Sequence, residues 1–435
     1  MIEQILSDTQ ERVIDRIHKY LPSPETIEAH PFPSIAQTKL REELRQDLAG
    51  ADFVMVYSHL EEKLVIVPPW HDLNLAPVET PGKDYAQVVF EGMSMEPVVD
   101  AEDIKGANLI LFQPRIDRLA RSVTTQRFKP SVSIAEFSQG ISDLCAVLGE
   151  KVLRREDKTP SRAYIRPSIS RGLGKFGVAS SPTQKVDATI VVWNWPFYLP
   201  DPERVYQGEG LKVALFTDEQ RIGRIYGKEA RNYGHVGVVS RRAKELGQDE
   251  ALIFGPYQIL PRIPSIIQEV NLQRRNVQSL DEVLDVVLSD GPGEEVAAVT
   301  RGEELWTPPM DVNRLGGTTL NYLRKYMAPK LGIKTYVRAF SLRNILEGDI
   351  NGLIFLGNAA RIAPIGEIKV YDSANELLST INLEIPPVIR ELVDRYEQET
   401  AGKIEASHPS LLTPVDLDSG KIARNILDEV YSSWF

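Results

Sequence analysis

The stretch Leu315-Gly-Gly-Thr-Thr-Leu320 has the composition of an anion-binding turn. Glycines followed by hydroxyls at the start of a helix leave backbone N–H groups pointing at one spot, where the helix dipole also favours negative charge. Gly317, Thr318 and Thr319 are therefore phosphate candidates, although a glycine turn capped by a threonine has the same spelling. A second stretch, Gly227-Lys-Glu-Ala-Arg-Asn-Tyr233, places a lysine just before a helix and five residues ahead of a tyrosine. Taken alone, Lys228 reads as a solvated lysine. Other patterns fail on spacing. Gly172, Gly174 and Gly177 spell G-x-G-x-x-G, but Pro182 and no helical periodicity follow, so a flexible loop is expected. Gly223, Gly227 and Lys228 fall one residue short of a P-loop, and Glu229 stands where a hydroxyl should hold magnesium. The six histidines, His18, His30, His59, His71, His235 and His408, include no pair at metal-ligand spacing, so no metal site is expected. No G-x-S-x-G elbow is present.

The elements that must position these residues can be read from the apolar pattern. The chain has 435 residues, 42% hydrophobic and 26% charged, with a net charge of -11; this suits a globular protein and disfavours a generic nucleic-acid surface. A single cysteine, Cys145, excludes a disulfide within the chain and a cysteine-rich metal site, and it sits among Leu144, Val147 and Leu148 as a core residue would. The start MIEQILSDTQERVIDR carries acids and lacks a continuous apolar core, so a signal peptide is not expected there. The longest apolar stretch, Ala188 to Leu199, is broken by Asn194 and Pro196 and is too short to span a bilayer, so a cytoplasmic protein without membrane contact is expected. Ser7 and Gln10 fit a capping box for a helix with Val13, Ile14, Ile17 and Leu21 on its apolar face. Pro22, Pro24, Pro31 and Pro33 separate it from a helical stretch near Leu40 to Leu48. The runs FVMVY, KLVIV, AQVVF, NLILF, AYIRP and ATIVVWNW read as strands, with a helix at Ile134 to Leu153. After the proline-rich PFYLPDPERVYQGEG come strands KVALF, EALIF, EVAAV and GLIFLG, interleaved with helices at Gly234 to Leu246 and Thr319 to Leu331, then a closing helix from Ser419. This predicts an α/β (α+β) chain: a helical extension over 1–50, a smaller α/β domain over 51–197, a linker over 198–210, a larger α/β domain over 211–390 and a helical extension over 391–435.

In this order the segments resemble branched-chain amino acid aminotransferases and the wider class IV aminotransferase fold. Tyr85-Ala-Gln-Val-Val-Phe-Glu-Gly-Met93 is similar to that family's segment before its first active-site turn. Leu111-Phe-Gln-Pro with Arg118 and Ser122 is similar to its phosphate-arginine segment, and Tyr164-Ile-Arg-Pro to its substrate-side strand. Lys228 with Asn232-Tyr233, Trp306-Thr-Pro-Pro-Met310, and Gly357-Asn-Ala-Ala with Pro364-Ile365 complete the series. The resemblance implies two α/β domains with a pyridoxal 5'-phosphate site between them and Lys228 as the Schiff-base lysine. It implies that Tyr233 bonds the cofactor's phenolic oxygen, that Asp290 holds the pyridine nitrogen, and that Arg118, Gly317, Thr318, Thr319 and Asn358 hold the phosphate. Tyr164, Arg166 and the backbone of Ala359 and Ala360 would receive the substrate's carboxylates, with Phe90, Met93 and Met95 as an apolar wall or as core. The implied partners are a branched-chain or related amino acid and 2-oxoglutarate or glutamate, handled by a homodimer. Another class IV chemistry, such as a lyase acting on a specialised amine, and a non-catalytic binding protein on the same fold remain open alternatives. The chain departs from the family at Asp290 (glutamate there), Arg231 (glycine), Glu295 (asparagine), Leu320 (arginine) and Asn358 (threonine), and inserts a segment over 255–287 with Pro256, Pro261, Pro264 and Gln273-Arg-Arg-Asn.

Overall fold

In the computed structural model, residues 14–29, 33–74, 80–174, 177–179, 184–221, 225, 227–260, 263–274, 277–310 and 314–434 are described. Ser7, Gln10, Val13, Pro31, Pro182, Gly223, Pro261, Arg275 and Asn276 lie outside them. The chain divides into two compact units: residues 1–196, 227–231 and 410–435 form the first, 197–226 and 232–409 the second. Each contains helices and a sheet, as the alternating pattern predicts.

The first unit is built on an eight-stranded sheet. Its order is Leu412–Val415, Asp103–Ile110, Met93–Asp100, Ala163–Arg171, Val186–Asn194, Val54–Ser58 and Lys63–Val67, with Val88–Phe90 joined to Ala163–Arg171. Burial along Ala163–Arg171 alternates, so Ile165 and Ile169 enter the core while Tyr164, Arg166, Ser168 and Ser170 share the other face. Met93 and Met95 pair with Ile165 and Ala163 and are fully buried, which makes them core residues. The helix Ile134–Val152 covers the core face. Ser133 and Glu136 form its capping box, and Phe137, Ile141, Leu144 and Leu148 are buried, each worth roughly 1.5–3 kcal/mol. Cys145 is buried among them, and burial pushes its thiol well above the usual range. The closing helix Leu417–Val430 adds Leu417, Ala423 and Leu427 to the same core.

The second unit carries a ten-stranded sheet. Its order is Ile263–Glu269, Glu250–Leu260, Leu211–Gln220, Arg361–Tyr371, Ile350–Gly357, Glu295–Thr300, Leu305–Thr307 and Thr335–Val337. The strand Val286–Asp290 pairs with both Glu295–Thr300 and Glu250–Leu260, so six strands close into a ring, and the tenth strand, Leu377–Asn382, pairs with Arg361–Tyr371. Val213, Leu215, Leu252, Phe254, Leu288, Val296, Leu353 and Phe355 fill one core of this unit. Ala214, Phe216, Ala251 and Ile253 face the opposite way, onto Val236, Val239 and Ala243 of the helix Arg231–Glu245. Both faces are covered, which is why these strands read as continuous apolar runs. The helix predicted at Thr319 to Leu331 begins at Thr318 and widens to a π-turn over Leu323–Met327. Pro329 follows in Ala328–Lys330 and cannot donate a backbone hydrogen bond, so the preceding carbonyls are served by a wider turn. Among the described residues, no helix is long and apolar enough to cross a membrane.

The first described helix, over 14–20, docks by Ile17, which is buried in the first unit's core. Asp143 anchors it. Its carboxylate accepts from Arg16 Nε and Nη2 (both 2.9 Å), Tyr20 Oη (3.0 Å) and Gln139 Nε2 (3.0 Å). Asp143→Ala leaves the Arg16 charge and the Tyr20 hydroxyl without this acceptor. Denaturant unfolding should then show a loss of about 2–4 kcal/mol, and hydrogen exchange should report loosening over 14–20 before the rest of the unit. Unchanged exchange there would show that packing of Ile17, Tyr20 and Leu21, not Asp143, holds this helix.

Candidate active site

Lys228 lies in the segment Gly227–Arg231, which belongs to the first unit although the chain before and after that segment belongs to the second. Three hydrogen bonds hold its segment: Phe90 N–H to Lys228 O (3.1 Å), Ala230 N–H to Val88 O (2.9 Å) and Lys228 N–H to Ser122 Oγ (3.0 Å). Gly227 allows the approach, since a Cβ there would lie 2.9 Å from Ser122 Oγ and 3.0 Å from its Cα. The Lys228 ammonium lies 5.0 Å from the centre of the Phe90 ring. Arg231, in place of the family glycine, turns to pair with the buried Glu229.

The helix Phe112–Thr125 positions the rest of this group through one polar stripe. Arg115, Arg118 and Ser122 recur at helical spacing and are all buried. Arg115 Nη1 donates to Gly92 O (3.0 Å), Arg118 clamps Glu91 through Nε (2.6 Å) and Nη2 (2.7 Å), and Ser122 carries Lys228. Arg118 is thus a preset guanidinium whose plane is fixed by a buried carboxylate. Glu91 was not picked out in the sequence, since the acid between Phe90 and Gly92 carries no spacing signal of its own. Tyr164 and Arg166 stand side by side on the sheet face opposite Ile165 and Ile169. Arg166 Nη2 donates to Tyr164 Oη (2.9 Å), and its guanidinium lies 4.7 Å from the Phe90 ring centre and 5.2 Å from that of Tyr164.

The second unit gathers its candidates around the tight hairpin from Asp290 to Glu295, which pair across its base. Asp290 is buried and accepts from Arg221 Nε at 2.6 Å, while Arg221 Nη2 donates to Gly291 O at 2.6 Å. Burial pushes the Asp290 carboxyl up, and the Arg221 charge and hydrogen bond oppose that rise. Glu295 pairs with Arg314, whose Nε also donates to Pro308 O (2.7 Å). A Cβ on Gly317 would collide with the Glu295 carboxylate, so that carboxylate lies against the backbone that opens the helix at Thr318. Glu295 is in register with Leu356 of Ile350–Gly357, whose end carries Asn358, Ala359 and Ala360. The hairpin therefore brings Asp290, the Gly317-Thr318-Thr319 turn and the Asn358–Ala360 turn into one neighbourhood. Ala360 is buried, and its carbonyl accepts from Tyr206 Oη (2.8 Å). Tyr233, half-buried in the first turns of Arg231–Glu245, packs against the cluster containing Phe216 and Ile253.

Arg221, Glu250 and Glu294 also escaped the sequence reading. Arg221 follows a strand with no motif around it, and the two glutamates look like ordinary surface acids. Glu294 is buried beside Glu250 and Tyr198. Tyr198 Oη donates to Glu250 at 3.1 Å, and Gly293 N–H donates to Glu294 at 3.0 Å. Burial first, then the Glu250 charge, push the Glu294 carboxyl up to about 8. The charge of Glu294 in turn pushes the Tyr198 phenol well above the usual range. Among the described residues, no group of three or more His, Cys, Asp or Glu could hold a metal ion.

The two sheets, with the ring closed in the second, are a known arrangement. The chain has the fold of the branched-chain amino acid aminotransferases of class IV. The structure of the branched-chain aminotransferase from Thermoproteus uzoniensis, solved with norvaline, matches with a TM-score of 0.62 at 20% identity, over 84% of this chain and 99% of that one. The Escherichia coli branched-chain amino acid aminotransferase matches at 0.60 and 23% identity, over 83% and 98%. A branched-chain amino acid aminotransferase from Thermobaculum terrenum, solved as a mutant, matches at 0.59 and 18% identity, over 84% and 98%. A further match, at 0.58 and 18% identity, was solved as a complex with N-(5'-phosphopyridoxyl)-L-glutamate. No family model matches the sequence, and no curated protein matches it. At such identities the likeness establishes the fold, and the chemistry must be argued from the residues.

The Glu294 environment sets a pH dependence. A carboxyl raised from 4.5 to about 8 by folding contributes stability below pH 4.5 that is lost as the pH rises through about 8. The denaturation midpoint of the wild type should fall between about pH 5 and about pH 9, and Glu294→Gln should flatten most of that fall. An equally steep fall in the variant would assign the titration to another group.

Proposed function

We propose that this chain is a pyridoxal-phosphate-dependent aminotransferase that moves an amino group between a branched-chain or related amino acid and 2-oxoglutarate or glutamate. The observation that carries the reading is the segment Gly227–Arg231, held in the first unit by strand and helix contacts so that the Lys228 amine and the Arg118 guanidinium sit on neighbouring supports. The donor set fits the cofactor. It offers a primary amine, a buried guanidinium, a buried acid at Asp290 and a glycine–threonine turn at a helix start. Two features bear on how the cofactor would be held. Asp290 already carries a guanidinium on one oxygen, and Glu295 lies against the turn that would receive phosphate.

When bound, pyridoxal phosphate supplies an aldehyde that captures amines and a ring that accepts electron density. The residues of the chain bind, orient and move protons. Arg118, its plane set by Glu91, would hold the phosphate with Gly317, Thr318, Thr319 and Asn358. Asp290 would bind the pyridine nitrogen, and Tyr233 the phenolic oxygen. Lys228 Nζ would carry the cofactor and then take the α-proton from the amino donor and return it. Arg166, gripped by Phe90 and Tyr164, would receive a substrate carboxylate, and Ala359 and Ala360 would offer backbone N–H groups to another. We place this activity in the cytoplasm and in a homodimer, which sedimentation tests directly; a chain that sediments only as a monomer contradicts the dimer.

The test of the activity is labelling. Protein incubated with pyridoxal phosphate and reduced with borohydride should gain the cofactor mass on the peptide containing Lys228, and Lys228→Ala should gain none. The loaded wild type, mixed with amino donors, should convert to the pyridoxamine spectrum. A folded wild type that takes no label would favour a non-catalytic binding protein. Release of ammonia and pyruvate without an acceptor would mark a lyase.

A further inference from the structure

The helix over 14–20 walls one side of a cavity of 380 Å³ that lies within the first unit. Three elements enclose it. The helix supplies Arg16, Lys19 and Tyr20, whose spacing of three and four residues sets them on one face. The hairpin of Val54–Ser58 and Lys63–Val67 supplies the floor: Tyr57 lies opposite Leu64, so the two share a face, with Lys63 beside them and Glu62 in the turn. The start of Ile134–Val152 closes the remaining side with Val132, just before the cap, and Glu136 in the first turn.

The lining is apolar at its base and cationic above. Leu64 and Val132 are buried, and the Tyr57 ring is half-buried. Three cations, Arg16, Lys19 and Lys63, face two carboxylates, Glu62 and Glu136. One of those carboxylates is already engaged, because Glu136 accepts from the Ser133 N–H (3.0 Å) and hydroxyl (2.6 Å). Lys63 is engaged as well, donating to the Leu21 carbonyl at 2.7 Å. Arg16 gives Nε and Nη2 to Asp143, which leaves Nη1, and Lys19 pairs with no acid among the described residues.

We propose that this cavity binds a small organic carboxylate with a short apolar body, and that the bound ligand locks the helix over 14–20 onto the first unit. The volume falls in the range of about 300–1,000 Å³ that small-molecule sites occupy. A carboxylate would take the donors that Arg16 and Lys19 still offer, while a ring or branched chain lies on Tyr57, Leu64 and Val132. The lock follows from shared residues. Arg16 and Tyr20 line the cavity and also hold Asp143, so the helix cannot leave without dismantling the site. A ligand that binds only the docked form stabilises docking by mass action. The site uses none of the residues assigned above to cofactor or substrate, so it stands or falls apart from the aminotransferase reading.

The experiment is hydrogen exchange followed by mass spectrometry on the full-length chain incubated with pyridoxal phosphate. The probes are 3-phenylpropionate, 4-methylpentanoate and the neutral 3-phenylpropanamide. At least one carboxylate should slow exchange over 14–20 in a saturable way, by roughly tenfold at about ten times its Kd, and the amide at the same concentration by less than about twofold. Lys19→Glu, an exposed position that leaves the core intact, should weaken that Kd by about tenfold or more, whereas Lys19→Arg retains it. Val132→Trp, which fills the cavity, should remove the protection. Protection given equally by the amide, or surviving Lys19→Glu, would overturn the proposal. Carboxylate protection confined to peptides other than 14–20 would overturn it too, by placing the probe at another site, as would no saturable protection with either carboxylate. Labelling of Lys228 should be the same in the wild type and Lys19→Glu, so loss of the activity and loss of this site are read separately.

Discussion

Buried charge is the constraint around which the second unit is arranged. Asp290, Glu294, Glu295 and Glu250 all lie in its interior, and each isolated carboxylate there would cost several kcal/mol of lost hydration. Three solutions are used. Arg221 takes one oxygen of Asp290 and braces the hairpin through the Gly291 carbonyl. Arg314 takes Glu295 and is itself tied to the Pro308 carbonyl. The Glu294 and Glu250 pair is relieved by retaining a proton, with Tyr198 donating to Glu250. Because the hairpin is held in this way, the Gly317 turn and the end of Ile350–Gly357 have a fixed surface to pack against, and the candidate residues they carry inherit that position.

The first unit solves a smaller version of the same problem. Glu91 is fully buried in the turn between two strands, and Arg118 neutralises it from the helix alongside. The pair is more than compensation. By consuming two donors of the Arg118 fork, Glu91 sets the guanidinium plane, and Ser122 one turn further along the helix fixes the lysine backbone. A single helix face thus determines where an amine and a guanidinium stand relative to each other. Positioning of this kind is obtained more reliably from a helix packed on a sheet than from a loop.

The legible parts of this chain were those with periodicity. Ile134–Val152, Arg231–Glu245 and the runs around Val54, Ile190, Leu215 and Leu353 announce their elements because burial imposes a 3.6- or 2-residue repeat. The same rule applied to Tyr164 and Arg166 predicts a shared face, and the structure has it. Partners brought together by tertiary contact were invisible. Arg221 lies 69 residues from Asp290, and Glu91 lies 27 from Arg118, and no local pattern links either pair. The widening at Leu323–Met327 was also unreadable, because Leu320, Leu323, Met327 and Leu331 keep an ordinary helical spacing in the sequence. Met93 and Met95 show the reverse limit. Apolar residues near a site look alike in sequence whether they line it or pack beneath it, and register alone placed them beneath.

The departures from the family pattern bear on whether the site is maintained. Glu295 in place of asparagine adds a charge at a buried position, and the buried Arg314 stands against it. Arg231 in place of glycine adds a charge near the lysine, and the buried Glu229 meets it. Asp290 is a methylene shorter than glutamate, and Arg221 braces it on its own strand's hairpin. Replacing a buried ion pair by well-packed apolar residues is often neutral or stabilising, so stability alone gives little reason for a chain to accumulate such pairs. Here each of these three charged residues is matched, within its own unit, by a counter-charge within hydrogen-bond reach. An added charge met by a fixed counter-charge is held in one orientation, so each of these departures is accommodated locally and leaves the neighbouring backbone where the fold puts it.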